Sequence, residues 1–268
     1  MIYHLKLFFK SLYRLLTDTR YRYFIAIYQR YGRSKGEGTK YIKFEQGSIT
    51  AVDPQSFVWQ YKELLVDEIY KFDSSKPNPL IIDCGANIGL SCIYFKKRFP
   101  QATIIAFEAD PAIANVLKQN LIANTIEGVE VISKAVWIHN EGIQFVQDGS
   151  DGGAITNSNA EGIHINSIRL KDFLKQFSEI DFLKMDIEGA ETTVLSDCKE
   201  ELSRVDKLFV EYHSFVGQEQ TLPLLLNVLK ENDFRYFIQT ISDAETPFLP
   251  LSKTNGNIDL QLNIFAWK

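Results

Sequence analysis

Apolar and polar residues along this chain form blocks that predict strands and helices in turn. From residue 79 onward, short continuous apolar runs, typical of strands buried on both faces, are separated by segments with helical spacing of apolar residues. The predicted strands are Leu80–Cys84, Ala102–Glu108, Val129–Ser133, Asp181–Ile187, Lys207–His213, Arg235–Gln239 and Leu260–Trp267. The predicted helices are Ile88–Arg98, Pro111–Asn124, Ala190–Cys198 and Gln220–Lys230. This alternation predicts an α/β fold with a mostly parallel sheet and helices on both faces.

Two other parts of the chain depart from this alternation. Residues 41–50 have the pattern of a short strand pair, and Asp53-Pro54 is typical of the start of a helix, which we expect to extend to about Lys71. Residues 137–170 are irregular and have hairpin character. We therefore divide the chain into an arm (1–40), a lead-in to the core (41–78) and a core domain (79–268).

The arm is basic and has the pattern of an amphipathic helix. It has nine Lys and Arg residues against two Asp and Glu, in a chain whose net charge is −5. Three interpretations are open. The arm packs on the body or on a second subunit of a homodimer. It lies on anionic lipid at the inner membrane surface, near a lipid-linked substrate. Or it binds nucleic acid, which the acidic remainder of the chain disfavours.

The composition is that of a globular protein of the cytoplasm. Of the 268 residues, 45% are hydrophobic and 24% are charged, which excludes general disorder. The three cysteines have no metal-ligand spacing, so we expect reduced thiols. Lys6, Lys10 and Arg14 interrupt the apolar start, so we expect neither a signal peptide nor a membrane-spanning helix there.

The first core strand ends in a glycine-containing turn typical of nucleotide-like cofactor sites. Asp83, Gly85, Asn87 and Gly89 lie in this turn, and Glu108 ends the next strand. Asp83 could receive the amino group of a zwitterionic ligand, and Glu108 could accept two ribose hydroxyls. The D-x-G-x-x-x-G spacing, with an acid beside the turn, favours S-adenosylmethionine over a dinucleotide. The alternative is a packing turn without a ligand.

A second group of polar residues ends two later strands. Lys184, Asp186 and Glu188 share one face of their strand, and Glu211 and His213 end the next strand. One interpretation makes Asp186, Glu188 or His213 a general base. Another makes these three the ligands of a divalent metal. We prefer base catalysis without a metal, because no ligand spacing is diagnostic. A purely structural ion-pair network is the third interpretation.

These motifs resemble the FkbM family of S-adenosylmethionine-dependent methyltransferases. The resemblance extends from about Tyr70 to the end of the chain and does not include the arm. It rests on DCGANIG at 83–89, FEADP at 107–111, KAVW at 134–137, LKMDIEGAE at 183–191 and VEYH at 210–213. It implies a seven-stranded, Rossmann-like methyltransferase fold, here with an N-terminal helical extension.

The resemblance also implies where the cofactor binds. The turn at 83–89 would hold the methionine part and Glu108 the ribose. The adenine would lie against Ala109, with Ser133 and Ala135 nearby. Asp151, in a polar loop at 149–154, would either contact the cofactor or serve only as a turn residue.

The expected reaction is methyl transfer to oxygen. The strand end at 186–189 lacks the prolines typical of amino-methylating nucleic-acid enzymes, and the chain has no Pro-Cys nucleophile. Family resemblance points to a small-molecule or glycan acceptor: a hydroxyl of a saccharide, a glycolipid or a secondary metabolite. The alternatives are an RNA methyltransferase and a non-catalytic scaffold.

Overall fold

The N-terminal part of the chain folds as helices and a small strand pair that cover one face of the core. The computed structural model describes residues 2–34, 36–45, 47–147, 153–155, 163–241 and 258–268. The N-terminal elements are α1 (Ile2–Thr17), α2 (Thr19–Tyr31), β1 (Lys40–Phe44), β2 (Gly47–Ala51), α3 (Pro54–Tyr61) and a π-helix (Lys62–Val66). The predicted strand pair is confirmed, since β1 and β2 pair antiparallel.

The remaining elements alternate between strand and helix. The strands are β3 (Leu80–Cys84), β4 (Thr103–Phe107), β5 (Val129–Ile132), β6 (Ala135–Trp137), β7 (Ile143–Gln147), β8 (Gly153–Ile155), β9 (Ile163–Ile165), β10 (Ser167–Arg169), β11 (Ile180–Met185), β12 (Val205–Phe215), β13 (Arg235–Thr240) and β14 (Ile258–Trp267). The helices are α4 (Leu90–Arg98), α5 (Pro111–Ala123), α6 (Leu170–Leu174), α7 (Glu191–Asp197), a 3₁₀-helix (Glu201–Arg204) and α8 (Leu222–Glu231).

A seven-stranded sheet with the order β13-β14-β12-β11-β3-β4-β5 forms the centre of the fold. Strands β12, β11, β3, β4 and β5 pair in parallel, whereas β14 pairs antiparallel with both β12 and β13. The predicted α/β fold with a mostly parallel sheet is therefore confirmed. β12 is longer than predicted because its pairing with β14 continues from Lys207 to Phe215. In the region of hairpin character, β7 pairs antiparallel with β8 and β9.

The expected helix from Asp53 to about Lys71 is wrong at its C-terminal end. The α-helix ends at Tyr61, and the π-helix that follows ends at Val66. Glu68 then adopts a left-handed conformation with φ +49°, which turns the chain away from the helical path. The turn allows Tyr70 and Phe72 to be buried in the core, and this burial outweighs the helical propensity of the segment.

Alternation along the strands assigns each side chain to one face of the sheet. One face presents Ile81, Phe182 and Phe209 to the N-terminal elements and α4, and the other presents Leu183 and Val210 to the opposite core cluster. By this alternation, the side chains of Lys184, Glu211 and His213 belong to the face that the N-terminal elements cover.

The arm consists of a packed helix, α2, and a helix α1 whose described residues from Phe9 onward are mostly exposed. Phe24 and Ile27 of α2 are buried in the same core cluster as the sheet. Arg14 of α1 donates hydrogen bonds to the Asp67 carboxylate and the Val66 carbonyl, which attaches the end of α1 to the lead-in. In the described part of the chain, no helix has both the length and the apolar character that crossing a bilayer requires.

Candidate active site

The turn after β3 is in direct contact with the end of β11. Gly85 has φ +84°, and its N–H donates to the Phe107 carbonyl of β4. A Cβ at this position would lie 1.8 Å from the carbonyl oxygen of Asp186. Only glycine fits this approach, because both the positive φ and the missing side chain are needed. The predicted cofactor turn and the acidic strand end therefore form one continuous edge.

The start of α4 also depends on backbone conformations that few residues adopt. Asn87 has φ +47° and Gly89 has φ +87°. Gly89 precedes the first residue of α4, so this helix begins at Leu90 rather than at the predicted Ile88. A Cβ at Gly89 would lie 3.0 Å from Leu117 of α5. The turn is thus packed against α5.

Glu108 closes the turn from the neighbouring strand. Its carboxylate accepts hydrogen bonds from the N–H groups of Asn87 and Asp110, each at 2.9 Å. Burial raises the pKa of Glu108 to about 7. Each carboxylate oxygen has further capacity to accept a hydrogen bond, which fits the two hydroxyls of a ribose.

Asp83 and Lys184 lie buried beneath the turn. Asp83 accepts a hydrogen bond from Ser91 through Oδ2, and its Oδ1 lies 3.5 Å from Lys184 Nζ, with no hydrogen-bond partner among the described residues. Lys184 Nζ donates to the Gly85 carbonyl at 2.7 Å and to Asp186 Oδ2 at 3.1 Å. Burial alone would lower the pKa of Lys184, but the charges of Asp186 and Asp83 hold it well above its usual value. Lys184 thus joins the turn to the acidic strand end.

The residues expected around an adenine ring form a small cluster next to Glu108. Ala109 packs on the buried Ala135, together with Ile143 and Ile165. The Ala135 N–H donates a hydrogen bond to the Asn166 carbonyl. Ser133 Oγ is buried and has no hydrogen-bond partner in the described part of the chain. An apolar surface with one orphaned hydroxyl fits a heteroaromatic ring with polar edges. Asp151 lies outside the described residues.

We call the carboxyl ends of β11 and β12, with Asp186, Glu188, Glu191 and Glu211, the acidic edge. His213 lies at its centre. Its Nδ1 is 3.3 Å from Glu191, and its Nε2 is 3.5 Å from Glu211 and 3.7 Å from Glu188. Burial would lower the pKa of His213, but the hydrogen bonds and charges of these carboxylates raise it to about 12. The ring is therefore a cation at neutral pH.

Gln261 of β14 completes the surroundings of this cation. Its amide lies 3.1 Å from His213 Nε2 and 2.6 Å from Glu211 Oε1. The amide nitrogen of Gln261 donates to Glu211 Oε1, and the roles of the amide and His213 Nε2 toward each other depend on the ring tautomer. Burial and the charge of Asp186 raise the pKa of Glu211.

Glu188 is the most accessible carboxyl group of the edge. It has a left-handed backbone with φ +56°, and its side chain is 38% exposed. Partial burial and the charges of Asp186 and Glu211 raise its pKa, and the charge of His213 lowers it. The resulting pKa of Glu188 is about 8. Strained backbone at a strand end is typical of functional sites. Glu188 is thus a carboxyl group that can gain and lose a proton near neutral pH.

Glu191 is a site residue that the sequence analysis did not assign. It is 1% exposed, and its Oε1 accepts hydrogen bonds from the N–H groups of Ile187 and Gly189, each at 3.0 Å. The same oxygen faces His213. Glu191 therefore fixes both the turn that bears Glu188 and the ring beside it. A signal was available, since an acid at the start of a helix commonly accepts from free N–H groups.

Glu63 of the π-helix is a second residue that the sequence analysis missed. Burial raises its pKa to about 8, and the charges of Glu211 and Asp186 contribute to the rise. The π-helix lies on the sheet face that bears Glu211 and His213. The sequence held no signal for this placement, because it depends on a π-helix within an otherwise helical pattern.

The structure changes the set of candidate metal ligands. Asp186, Glu211 and His213 offer ligand atoms that all lie within 4.8 Å of one another, so Glu211 takes the place expected for Glu188. Each of these groups already has a protein partner: Lys184 for Asp186, the Gln261 amide for Glu211, and Glu191 for His213. The donor set suits a divalent ion, but binding would require His213 to lose its proton.

This fold, with a ligand-binding turn at the carboxyl ends of the strands, defines the class of α/β proteins that bind nucleotide-like cofactors. Within that class, a family profile described as the methyltransferase FkbM domain matches residues 83–236. The chain belongs to this family of methyltransferases, and the resemblance stated from its motifs is confirmed.

Two of the relatives of known name are methyltransferases. Methyltransferase sdnD of Sordaria araneosa is 29% identical over 196 residues, which span 60% of this chain and 76% of the relative. The 2-O-methyltransferase NoeI of Sinorhizobium fredii is 27% identical over 170 residues, or 56% of this chain and 69% of the relative. The crystal structure of methyltransferase FkbM from Methylobacillus flagellatus superposes with a TM-score of 0.50 at 14% identity, over 91% of this chain and 58% of that one. This structural likeness concerns the fold.

Proposed function

We propose that this protein is an S-adenosylmethionine-dependent O-methyltransferase that acts on a hydroxyl of a saccharide, glycolipid or secondary metabolite. The observation that carries the proposal is the contact between the cofactor turn and the acidic edge, where a Cβ at Gly85 would lie 1.8 Å from Asp186 O. A group held on this turn lies beside carboxylates that can receive a proton. The name of the relative NoeI, a 2-O-methyltransferase, supports oxygen as the acceptor atom.

The turn and its neighbours bind and orient the cofactor. Glu108 accepts the ribose hydroxyls, Ala109 and Ala135 support the adenine, and Ser133 Oγ supplies a polar contact at its edge. The buried pair of Asp83 and Lys184 holds the Gly85 carbonyl in place and thus fixes the turn. S-adenosylmethionine, when bound, supplies an electrophilic methyl group on a sulfonium.

Glu188 is the general base of the proposed reaction. His213 is buried against Glu191, Glu211 accepts from the Gln261 amide and Asp186 is paired with Lys184, whereas Glu188 is the most exposed of these side chains. The pKa of Glu188, about 8, is well matched to removing a proton from a hydroxyl as the oxygen is methylated. The acceptor proton is transferred to the Glu188 carboxylate. His213, 3.7 Å away, stabilises the charged form of Glu188 before the transfer.

The proposed reaction proceeds without a metal ion, because the candidate ligands already neutralise one another through Lys184 and His213. Activity should therefore be retained after dialysis against EDTA. Restoration of a lost activity by Mg²⁺ or Mn²⁺ would instead assign Asp186, Glu211 and His213 as metal ligands.

The test is transfer of tritiated methyl groups to glycan and metabolite pools, with cofactor affinity measured separately by calorimetry. Glu188→Gln should lower turnover by ~10²–10⁴-fold and leave the affinity for S-adenosylhomocysteine unchanged. Glu219→Gln, an exposed acid in the segment after β12, is the matched control. A protein that does not bind S-adenosylhomocysteine, or a Glu188→Gln variant with wild-type turnover, would refute the assignment.

Helix α1 supports a peripheral location at the cytoplasmic membrane surface. Phe9, Leu12, Tyr13 and Leu16 follow the i, i+3, i+4, i+7 spacing of one helix face, and all four are exposed, Leu16 by 71%. Lys10 lies next to this face and suits anionic lipid. This surface would bring the site near a lipid-linked acceptor.

Sedimentation with phosphatidylglycerol vesicles tests this location. The wild type should co-sediment, and the double variant Leu12→Ser, Leu16→Ser should not. Leu224→Ser, at an exposed leucine of α8, serves as the control and should bind like the wild type. Equal binding by both altered forms, or none by the wild type, would contradict the role of α1.

A further inference from the structure

A buried amide beside the acidic edge lacks a hydrogen-bond partner. Asn263 of β14 lies opposite Glu211 of β12 in the antiparallel register, so both side chains belong to the same face of the sheet. Asn263 is 4% exposed, and no described residue forms a hydrogen bond to its Oδ1. A buried polar group of this kind is costly unless a ligand or an ordered water completes it.

A second buried asparagine shows how this protein satisfies such a group elsewhere. Asn120 is 1% exposed, and its Oδ1 accepts from the Thr50 N–H at 2.7 Å. Its Nδ2 donates to the carbonyls of Thr50 and Ile88. Asn120 is therefore a structural residue that joins α5 to β2 and the cofactor turn. Asn263 differs in that no described residue forms a hydrogen bond to its buried Oδ1.

The surroundings of Asn263 determine which ligands can use it. Glu211 lies across from it, Asp186 follows the neighbouring strand β11, and Glu63 belongs to the π-helix that packs on the same face. Of the described cations at this edge, Lys184 is held by Asp83 and Asp186, and His213 is held by Glu191. The edge therefore offers carboxyl and amide groups to hydroxyls, whereas an anion would find no unpaired cation among these described residues.

We propose that Asn263 and Glu211 form an acceptor subsite that binds hydroxyl groups of an uncharged saccharide, next to the hydroxyl that receives the methyl group. This inference rests on the proposed methyl transfer and adds the class of acceptor. Asn263 and Glu211 bind neighbouring hydroxyls, and no described cation of the edge is left unpaired for a carboxylate or phosphate on the acceptor.

The first part of the test uses stability. Asn263→Leu replaces the amide by an apolar group of similar shape, so the Tm of the free protein should be unchanged or higher. Asn120→Leu removes three hydrogen bonds and should lower Tm by ~5 °C or more. If Asn263→Leu lowers Tm as much as Asn120→Leu does, Asn263 is a structural residue and the proposal is overturned.

The second part uses ligands. In the presence of S-adenosylhomocysteine, binding of a panel of neutral methyl hexosides and of the corresponding uronic acids is measured by calorimetry. The wild type should bind at least one hexoside ~10-fold or more tightly than its uronic acid, a difference of about 1.4 kcal/mol. Asn263→Leu should abolish hexoside binding without changing the affinity for S-adenosylhomocysteine.

The outcomes separate this inference from the proposed function. If the wild type binds S-adenosylhomocysteine but no hexoside, or prefers the uronic acid, the acceptor class is wrong and the methyltransferase proposal stands. If S-adenosylhomocysteine itself does not bind, the proposed function fails, and with it the acceptor subsite. An Asn263→Leu variant that still binds the hexoside like the wild type would overturn the role of Asn263.

Discussion

At Gly85, one backbone position joins the two halves of the site. The residue combines a left-handed φ with a contact so close that a methyl group would meet the Asp186 carbonyl. Sequence-based reasoning predicted the first requirement from the glycine spacing. It could not predict the second, because the contact partner lies a hundred residues further along the chain.

Substitution of Gly85 tests this contact. Gly85→Ala should destabilise the protein by ~3 kcal/mol or more, since backbone strain and a steric clash add together. Gly217→Ala is the matched control: Gly217 has the same φ of +84° but no atom within 4 Å of an added Cβ, so only the strain of about 1–2 kcal/mol should appear. Urea unfolding measures the loss of stability in both variants. Equal costs would show that the contact with Asp186 is unimportant.

Glu108 should make cofactor binding depend on pH. Ribose hydroxyls donate to the ionised carboxylate, and the pKa of Glu108 is raised to about 7 by burial. Affinity for S-adenosylhomocysteine should therefore rise between pH 6 and pH 8, as Glu108 loses its proton. Calorimetric titrations across this range provide the measurement. Glu108→Gln should bind more weakly and with a flatter pH profile; an unchanged profile would exclude Glu108 as the ribose ligand.

The cofactor-turn residues were predictable because they are close in sequence. Asp83, Gly85, Asn87 and Gly89 form one strand-to-helix segment, so the local pattern was sufficient to place them together. The roles of Glu191 and Asn263 depend on which strands become neighbours. Strand order is set by packing of the whole sheet, and no local pattern specifies it.

At the scale of elements, the segment from Asp186 to Glu191 holds the proposed base, Glu188, in a fixed position. Glu191→Ala would leave the N–H groups of Ile187 and Gly189 without their acceptor, at a cost of about 2 kcal/mol in unfolding free energy. Turnover should fall as Glu188 loses its position. Glu191→Gln, which keeps an acceptor oxygen, should retain most of the stability. Urea unfolding measures the change in stability, and methyl-transfer assays measure the change in turnover. Full activity of Glu191→Ala would show that Glu191 does not position Glu188.

The lead-in shows where element prediction failed. The segment after Asp53 has helical propensity throughout, and the pattern alone gave no reason to end the helix before Lys71. The helix ends earlier because Tyr70 and Phe72 pack against Phe209 and Phe182 of the sheet. The resulting π-helix brings Glu63 to the acidic edge, so the failure coincides with a candidate functional position.

At the scale of the whole molecule, the buried carboxyl groups should make the free protein less stable as pH rises. Burial raises the pKa of Glu63 and Glu188 to about 8 and that of Glu108 to about 7. Between pH 4.5 and 8 the folded state therefore retains protons that the unfolded chain releases. His213, with a pKa of about 12, acts in the same direction above its ordinary value of 6.5.

The sign is thus the same for all four groups, and unfolding free energy should fall from pH 5.5 to pH 8.5. We expect Tm to drop by ~5 °C or more over this range. Glu63→Gln should reduce the drop, because it removes one of the contributors. A Tm that rises over the same range would contradict the burial of these carboxyl groups.

The fold class was predictable as a whole, because each buried strand is a continuous apolar run and the runs alternate with helical patterns. The antiparallel insertion of β14 between β12 and β13 was not, since no local pattern specifies the position of a strand within the sheet. That insertion places Gln261 and Asn263 next to His213 and Glu211. The contributions of Gln261 and Asn263 were therefore hidden from sequence analysis, although the cofactor turn and the polar ends of β11 and β12 were not.

The central claim is that the turn after β3 and the acidic edge beside it together hold an adenosyl cofactor. A crystal structure of the complex with S-adenosylhomocysteine measures this most directly. We expect both ribose hydroxyls to donate to Glu108 and the sulfur to face the edge formed by Asp186, Glu188 and His213. A ligand bound away from the turn, or one whose sulfur points away from these side chains, would contradict the account.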